Sequence, residues 1–357
     1  MIVRSRTALV ALVLAACAAA PTSPPPTAVP PSPEPSIPAS EPATTAPTPS
    51  TQPTVTPAPT FAMETYPVQA GSRPHDVAPA ADGGVWYTGQ GNGTLGWLNP
   101  DTGAVREVPL GPGSAPHGVI VGPDDAAWIT DGGLNAIVRV DPDSLEVTSY
   151  PLEVADANLN TATFDGDGIL WFTGQGGWYG RLDPATGELA TFAAPRGQGP
   201  YGIATMPDGE VVYSSLAGSH LGFIHPETAE VTVVDTPTPG GGARRVWSDS
   251  TGRLWVTEWF AGTLAAYDPS SASWQEWPLP GDSPQPYAVF VDETDAVWVT
   301  DFGGNALHRF DPANEAWTTF EHASAPADVR QLLGRPGEVW GAESAADQLV
   351  VVRRSGG

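Results

Sequence analysis

Seven copies of one short unit, spaced 41 to 43 residues apart from Trp86 to Trp340, constrain this chain more than any other feature. The clearest copies are strands built around a tryptophan: GVWYT at 84–88, AAWIT at 126–130, ILWFT at 169–173, RLWVT at 253–257 and AVWVT at 296–300. EVVYS at 210–214 and EVWGA at 338–342 are degenerate copies. Each unit reads in the same order. A strand opened by a Pro-X pair leads to a tight turn such as Pro207-Asp208-Gly209, then to the Trp strand, then to two more strands joined at an Asn/Asp-Pro turn (Asn99-Pro100, Asp141-Pro142, Asp183-Pro184, Asp268-Pro269, Asp311-Pro312). Asp, Asn, Gly and Pro supply the turn chemistry. Four antiparallel strands in a repeat of about 42 residues make a propeller blade. The expected fold is therefore all-β, a seven-bladed β-propeller of four-stranded antiparallel blades. The fourth strand ends in a tag, REVPL at 106–110, TSYPL at 148–152 and QEWPL at 275–279, which the last unit lacks. TFAMETYPV at 60–68 carries the same tag before the first full unit. An N-terminal strand is thus expected to complete the last blade and close the ring, which removes two open sheet edges at once.

Upstream of the repeat the sequence changes character. Arg4 and Arg6 precede an apolar run, Thr7 to Ala16, that is too short to span a bilayer as a mature helix and reads as a signal peptide. Leu14-Ala15-Ala16-Cys17 resembles the lipobox of bacterial lipoproteins, in which Cys17 is acylated and becomes the mature N-terminus; the alternative is an ordinary secretory signal. Cys17 is the only cysteine, so the mature domain has no internal disulfide and depends on packing. From Ala18 to about Thr60 the chain is Pro, Thr, Ser and Ala, with too little apolar surface to offset its ordering entropy. At about 3.1 Å per residue such a stalk reaches about 130 Å. The expected organisation is a lipoprotein signal peptide at 1–17, a disordered Pro/Thr/Ser-rich stalk at 18–59 and the propeller at 60–357, lipid-anchored on the extracytoplasmic face of the cell membrane.

A formal charge of -25, from 40 acids against 15 bases, repels phosphate backbones and anionic membrane faces. Nucleic acid is excluded as a partner on this ground, and membrane association is assigned to the acyl chain alone. The chain is read as a monomer with a small-molecule or cyclic-peptide ligand at the channel mouth.

The first strand of a blade lines the central channel and its neighbour runs antiparallel, so the residue opening the first and the residue closing the second meet at one end. Counting back eleven from each Trp gives His75, His117, Asn160, Tyr201, Arg244 and Tyr287, with Ala327 in the last unit. Counting forward three gives Gly89, Asp131, Gly174, Ser215, Glu258, Asp301 and Glu343. Packing would ask the same residue of each copy. Positions where the copies differ in polar or aromatic character are therefore candidates for function. His75, Tyr201, Arg244 and Tyr287 are candidate substrate contacts, and Asp131, Glu258, Asp301 and Glu343 are candidate oxygen ligands for a divalent cation. Backbone hydrogen bonding for the histidines and a solvated loop role for the acids are the alternatives. Gly91, Gly93 and Gly96 spell a dinucleotide fingerprint but join two strands and precede no helix, and Asp165-Gly166-Asp167-Gly168 lacks the terminal Glu of a calcium loop.

The segments RPHDV…GGVWYTG and APHGVIVGPDDAAWITD…NAIVRVDP resemble the streptogramin B (virginiamycin B) lyase family of seven-bladed propellers, and the likeness runs from Thr60 to the C-terminus. The resemblance implies a magnesium-dependent elimination that opens a cyclic depsipeptide by breaking its ester C–O bond without water, and so antibiotic resistance. By motif it implies that His75 in Arg73-Pro74-His75 contacts substrate, that His117 in Pro116-His117-Gly118 is the catalytic proton acceptor, and that Asp131 is a metal ligand. Ala115 stands where the family has its other acidic ligand. The family's catalytic blades come last in the chain, whereas the Pro-His blades here come first. In chain order the matching segment would be Ala325-Pro326-Ala327, which keeps only Glu343. Two other functions fit the same mouth: a surface-displayed ligand-binding propeller, and a gluconolactonase-like lactonase using Glu258, Asp301 and Asn160.

Overall fold

The protein is described from a computed structural model that covers residues 59–355. The proposed signal peptide, Cys17 and the stalk up to residue 58 lie outside the described residues. From Pro59 to Ser355 every regular element is a strand, and the strands form seven four-stranded antiparallel sheets. Blades 1 to 6 each take four consecutive strands, opening at Pro74, Pro116, Leu159, Pro200, Ala243 and Pro286. Blade 7 is made of Val329–Arg335, Glu338–Glu343 and Gln348–Ser355, with Thr60–Pro67 as its outer strand. That strand pairs antiparallel with the C-terminal one from Thr60↔Ser355 to Pro67↔Gln348. The first strands of neighbouring blades contact one another around the whole ring, blade 7 meeting blade 1.

The repeat sequence explains each step of a blade. Three residues before each anchor the chain takes a left-handed conformation, at Gly83, Asp125, Gly168, Gly209, Gly252, Asp295 and Gly337, so the first hairpin needs Gly or Asp there. The six anchor tryptophans are at most 1 % exposed, and each packs on the next blade. Trp128 lies among Leu159, Leu170 and Phe172, and Trp255 among Val289, Val297 and Val299. Trp340 lies against Val77 and Val85 of blade 1, which closes the circle. A buried indole also needs a partner for its N–H. Turn carboxylates supply one: Trp128 donates to Asp124 (3.1 Å), Trp171 to Asp165 (2.7 Å), Trp255 to Asp249 (2.9 Å), Trp298 to Asp292 (2.8 Å) and Trp340 to Glu338 (2.8 Å).

The Thr that follows two residues after the anchor has a different task. Its hydroxyl accepts the N–H of its own blade's first strand and donates to a carbonyl on the next blade. Thr88 binds Asp76 N (3.0 Å) and His117 O (2.9 Å), and Thr130 binds Gly118 N (2.9 Å) and Asn160 O (2.6 Å). Thr257 likewise binds Arg245 N (3.1 Å) and Tyr287 O (2.8 Å). These buried hydroxyls form a belt around the channel and fix the height of the residues that open each first strand.

Candidate functional site

The strand pairs Pro74↔Gly89, Pro116↔Asp131, Leu159↔Gly174, Pro200↔Ser215, Ala243↔Glu258, Pro286↔Asp301 and Val329↔Glu343 set one common register. One residue beyond each opening position lies a ring: His75, His117, Asn160, Tyr201, Arg244, Tyr287 and Arg330. The seventh member is Arg330 and not Ala327, because the blade 7 hairpin is one residue shorter than the others and the two extra residues fall before the strand. The next positions form a second ring: Asp76, Gly118, Thr161, Gly202, Arg245, Ala288 and Gln331.

On one side of the mouth His75 Nδ1 lies 2.7 Å from Asp76 Oδ1, and the His75 and His117 rings meet with centroids 3.9 Å apart at 46°. Burial lowers the His75 pKa well below the ordinary imidazole value, helped by the Arg330, Arg245 and Arg244 charges. His117 is lowered as strongly, by burial first and then by His75. Both rings are therefore neutral near pH 7. Asn160 accepts from Thr161 Oγ1 at 2.8 Å, which turns its amide nitrogen to His117 Nε2 at 3.4 Å, while His117 Nδ1 is buried with no partner. Facing these groups is an aromatic side. The Arg244 guanidinium lies 3.5 Å from the Tyr287 ring centroid, 4.4 Å from Trp259 and 4.7 Å from Tyr201, and donates to Tyr201 Oη at 2.9 Å. Phe302 stacks on Tyr287 at 4.8 Å, and Phe260 next to Trp259 is 68 % exposed.

The structure thus brings His75, His117, Asn160, Tyr201, Arg244 and Tyr287 to one mouth. The four acids do not join them. Asp131 accepts from Ala115 N (3.0 Å), Gly133 N (3.0 Å), Leu134 N (2.9 Å) and Ser114 Oγ (2.5 Å), so a loop uses its lone pairs. Asp301 binds Gln285 N, Gly303 N and Gly304 N at 2.7 to 3.0 Å; burial pushes its pKa up, but these donors and His308 outweigh burial and hold it low. Glu343 is buried yet held low by His322 (2.7 Å), Ser324 and Gln348. Glu258 is pushed up to about 7 by burial and by Glu276, and binds Thr263 at 2.9 Å. Asp131, Asp301 and Glu343 are thus engaged by neighbouring loops, while Glu258 Oε1 is buried without a partner.

This donor set does not fit magnesium. A hard cation needs several convergent oxygen ligands. Asp131 Oδ1 already accepts three N–H groups and Oδ2 the Ser114 hydroxyl, and Ala115 brings no side-chain oxygen. Among the described residues the group with metal-ligand spacing is His75, Asp76 and His117, with ligand atoms within 4.8 Å of one another. Two imidazoles and one carboxylate are a softer set, crowded by three guanidiniums.

Asp76, Arg245, Arg330, Trp259 and Phe302 are the site residues that sequence reasoning passed over. Asp76 stands inside the RPHDV motif and Arg245 follows Arg244, so both were one position from a residue already singled out.

The match to the virginiamycin B lyase family spans residues 55–301. The chain belongs to that family. The virginiamycin B lyase of Staphylococcus aureus superimposes with a TM-score of 0.76 at 20 % identity, over 82 % of this chain and 99 % of that one. A catalytically inactive variant of that enzyme with quinupristin gives 0.77 at 20 % identity, over 82 % and 99 %. The extracellular domain of a putative one-component system from B. thetaiotaomicron gives 0.63 at 16 % identity, over 81 % of this chain and 40 % of that one. At these identities the structural likeness carries the fold alone. No curated protein sequence matches the chain.

Proposed function

We propose that this virginiamycin B lyase family member is a carbon–oxygen lyase that opens a cyclic depsipeptide ester by elimination, with His117 as the proton acceptor. The observation that carries the reading is the neutral, partly buried His117 imidazole, whose Nε2 is held only by the 3.4 Å approach of Asn160. A substrate C–H displaces that weak contact. Nε2 takes the α-proton, the electron pair of the broken C–H bond forms a C=C bond, and the alkyl C–O bond breaks to release a carboxylate. The product has the mass of the substrate. His75, fixed by Asp76, supports one face of the base, and the aromatic side around Arg244 receives the apolar parts of the ligand. No step is routed through magnesium, because the residues around Asp131 do not supply its ligands. The protein acts as a monomer outside the cytoplasm, tethered through Cys17 and the stalk, where it meets antibiotic before entry; extracellular domains among the structural neighbours support that placement.

A second reading rests on a specific observation: the loop-bound Asp131 and the Ala115 replacement leave a polar, aromatic mouth suited to binding without turnover. Mass spectrometry of a streptogramin B incubated with the protein, with and without magnesium and beside His117→Ala, separates the two. Ring opening at unchanged mass that requires His117 supports the lyase. Intact substrate in the presence of folded protein leaves the binding propeller, and addition of water would mean a hydrolase.

A further inference from the structure

The channel has a second chamber, on the far side of the ring that carries His75 and His117. His75, Asn160, Tyr201 and Tyr287 are at most 4 % exposed and fill the channel at the mouth. None of them lines the cavity of about 280 Å³ that begins at the next residues, Asp76, Thr161, Arg245 and Gln331, and runs to the opposite ends of the first strands. There Pro79, Val121, Phe164 and Trp247 are half-buried and form its rim. Its walls are aliphatic and aromatic. That volume is near the lower end of small-ligand pockets, about 300–1,000 Å³.

The inner end is cationic in a protein of net charge -25. Three of its 15 basic residues, Arg244, Arg245 and Arg330, converge on the axis. Arg245 is 4 % exposed; its Nη2 lies 3.6 Å from Asp76 Oδ1, it donates to Thr161 Oγ1, and its buried Nε has no partner. The carboxylates beside these guanidiniums are Asp76 and Asp328, the latter 3.5 Å from Arg330. Of the three only Arg245 lines the chamber, beside the Asp76 carboxyl; Arg244 and Arg330 stand in the ring above it. A buried charge and an unmade buried donor are both unfavourable unless a partner arrives.

We propose that this chamber is a binding site for an apolar-tailed monocarboxylate, with the carboxylate at Arg245 and the tail along Val119, Ala162 and Leu332 toward the Val121 rim. The site is separate from the mouth, and its ligand enters from the opposite face of the ring.

Titration calorimetry of the full chain with octanoate and with octan-1-ol tests this. Octanoate is expected to bind saturably and at least about tenfold more tightly than the alcohol, the worth of a charge-assisted hydrogen bond. Arg245→Met should abolish that preference. Val121→Trp narrows the rim, leaves the Arg245–Asp76 pair intact and should abolish binding of both; it carries the test if Arg245→Met fails to fold. Absence of saturable octanoate binding, equal affinity for acid and alcohol, or unaltered binding by Val121→Trp would each overturn the proposal. Octanoate binding that survives alongside an inactive mouth would leave it standing, since the two ends of the channel are read separately.

Discussion

Thr88→Val asks whether the hydroxyl belt positions the base or merely holds blades together. Valine matches threonine in shape, so the change opens no cavity and removes only the hydroxyl. Two buried groups lose their partner: Asp76 N–H, now 3.0 Å from Thr88 Oγ1, and the His117 carbonyl, now 2.9 Å away. Each unsatisfied group costs about 1–3 kcal/mol. Some relaxation is expected, so the loss should be about 2–4 kcal/mol, visible as a fall in Tm of roughly 3–6 °C for a domain of this size. The strand opening that carries His117 is also freed from the neighbouring blade. A displacement of the order of 1 Å at a reacting group can lower turnover about 100-fold, so kcat for streptogramin linearisation should fall by about 10- to 100-fold at temperatures well below the new Tm. Thr300→Val is the control, because its recorded partner is the backbone N–H of Ala288 at 2.9 Å, beside no reactive group. It should lose about half as much stability and keep kcat. The His117 ring-proton titration by NMR gives a readout independent of turnover and should move toward the ordinary imidazole range in Thr88→Val alone. Full activity of Thr88→Val, or an equal loss of kcat in Thr300→Val, would refute the positioning role.

Three further outcomes follow from the same geometry. His75 and His117 have folded-state pKa values below their unfolded ones, so only the unfolded chain takes up these protons as pH falls below about 6.5. Stability should decline there by up to about 1.4 kcal/mol per pH unit for each histidine, and urea melts of His75→Gln from pH 7 to 5 should show a shallower decline. Glu258 is shifted the other way, to about 7, so the folded chain keeps a proton that the unfolded chain releases above its lower carboxylate pKa. Stability it contributes is lost as pH rises through 7, and Glu258→Gln should be more stable than wild type at pH 8 by about 1–3 kcal/mol, with no difference at pH 4. Deleting residues 1–67 removes the outer strand of blade 7 and leaves Gln348–Ser355 as an open edge; the truncated chain should self-associate or fail to fold in size-exclusion chromatography, whereas deleting 1–58 should leave the monomer intact.

Why the blades were readable in the sequence and the chemistry only half so follows from what each position must satisfy. Trp128 and Trp298 face the same surroundings, an adjacent sheet and a carboxylate at the first hairpin, which five of the six anchor tryptophans share, so the repeat itself specifies them. Even the closing strand was legible, because Thr60 to Pro67 repeats a tag that Gln348–Ser355 must pair with. The ring positions are set by no such shared demand, and there counting decided the outcome. It placed His75 through Tyr287 correctly and missed Arg330, because a one-residue change in the blade 7 hairpin shifts the register without altering the Trp anchor. The acids Asp131, Asp301 and Glu343 were attractive because the copies differ at the end of the second strand, yet a position can vary among blades and still serve structure. Each gathers donors from the loops beside its strand, Asp131 four of them, and a carboxylate so engaged is held by its loop. Among the described residues the buried polar atoms without a partner include His117 Nδ1, Arg244 Nε and Arg245 Nε on the axis, but also Trp86 Nε1, Tyr213 Oη, both His220 ring nitrogens and Glu258 Oε1 within the blades. An unpartnered buried polar atom therefore points to function only where it coincides with an axial position, and that coincidence is visible only once distances exist.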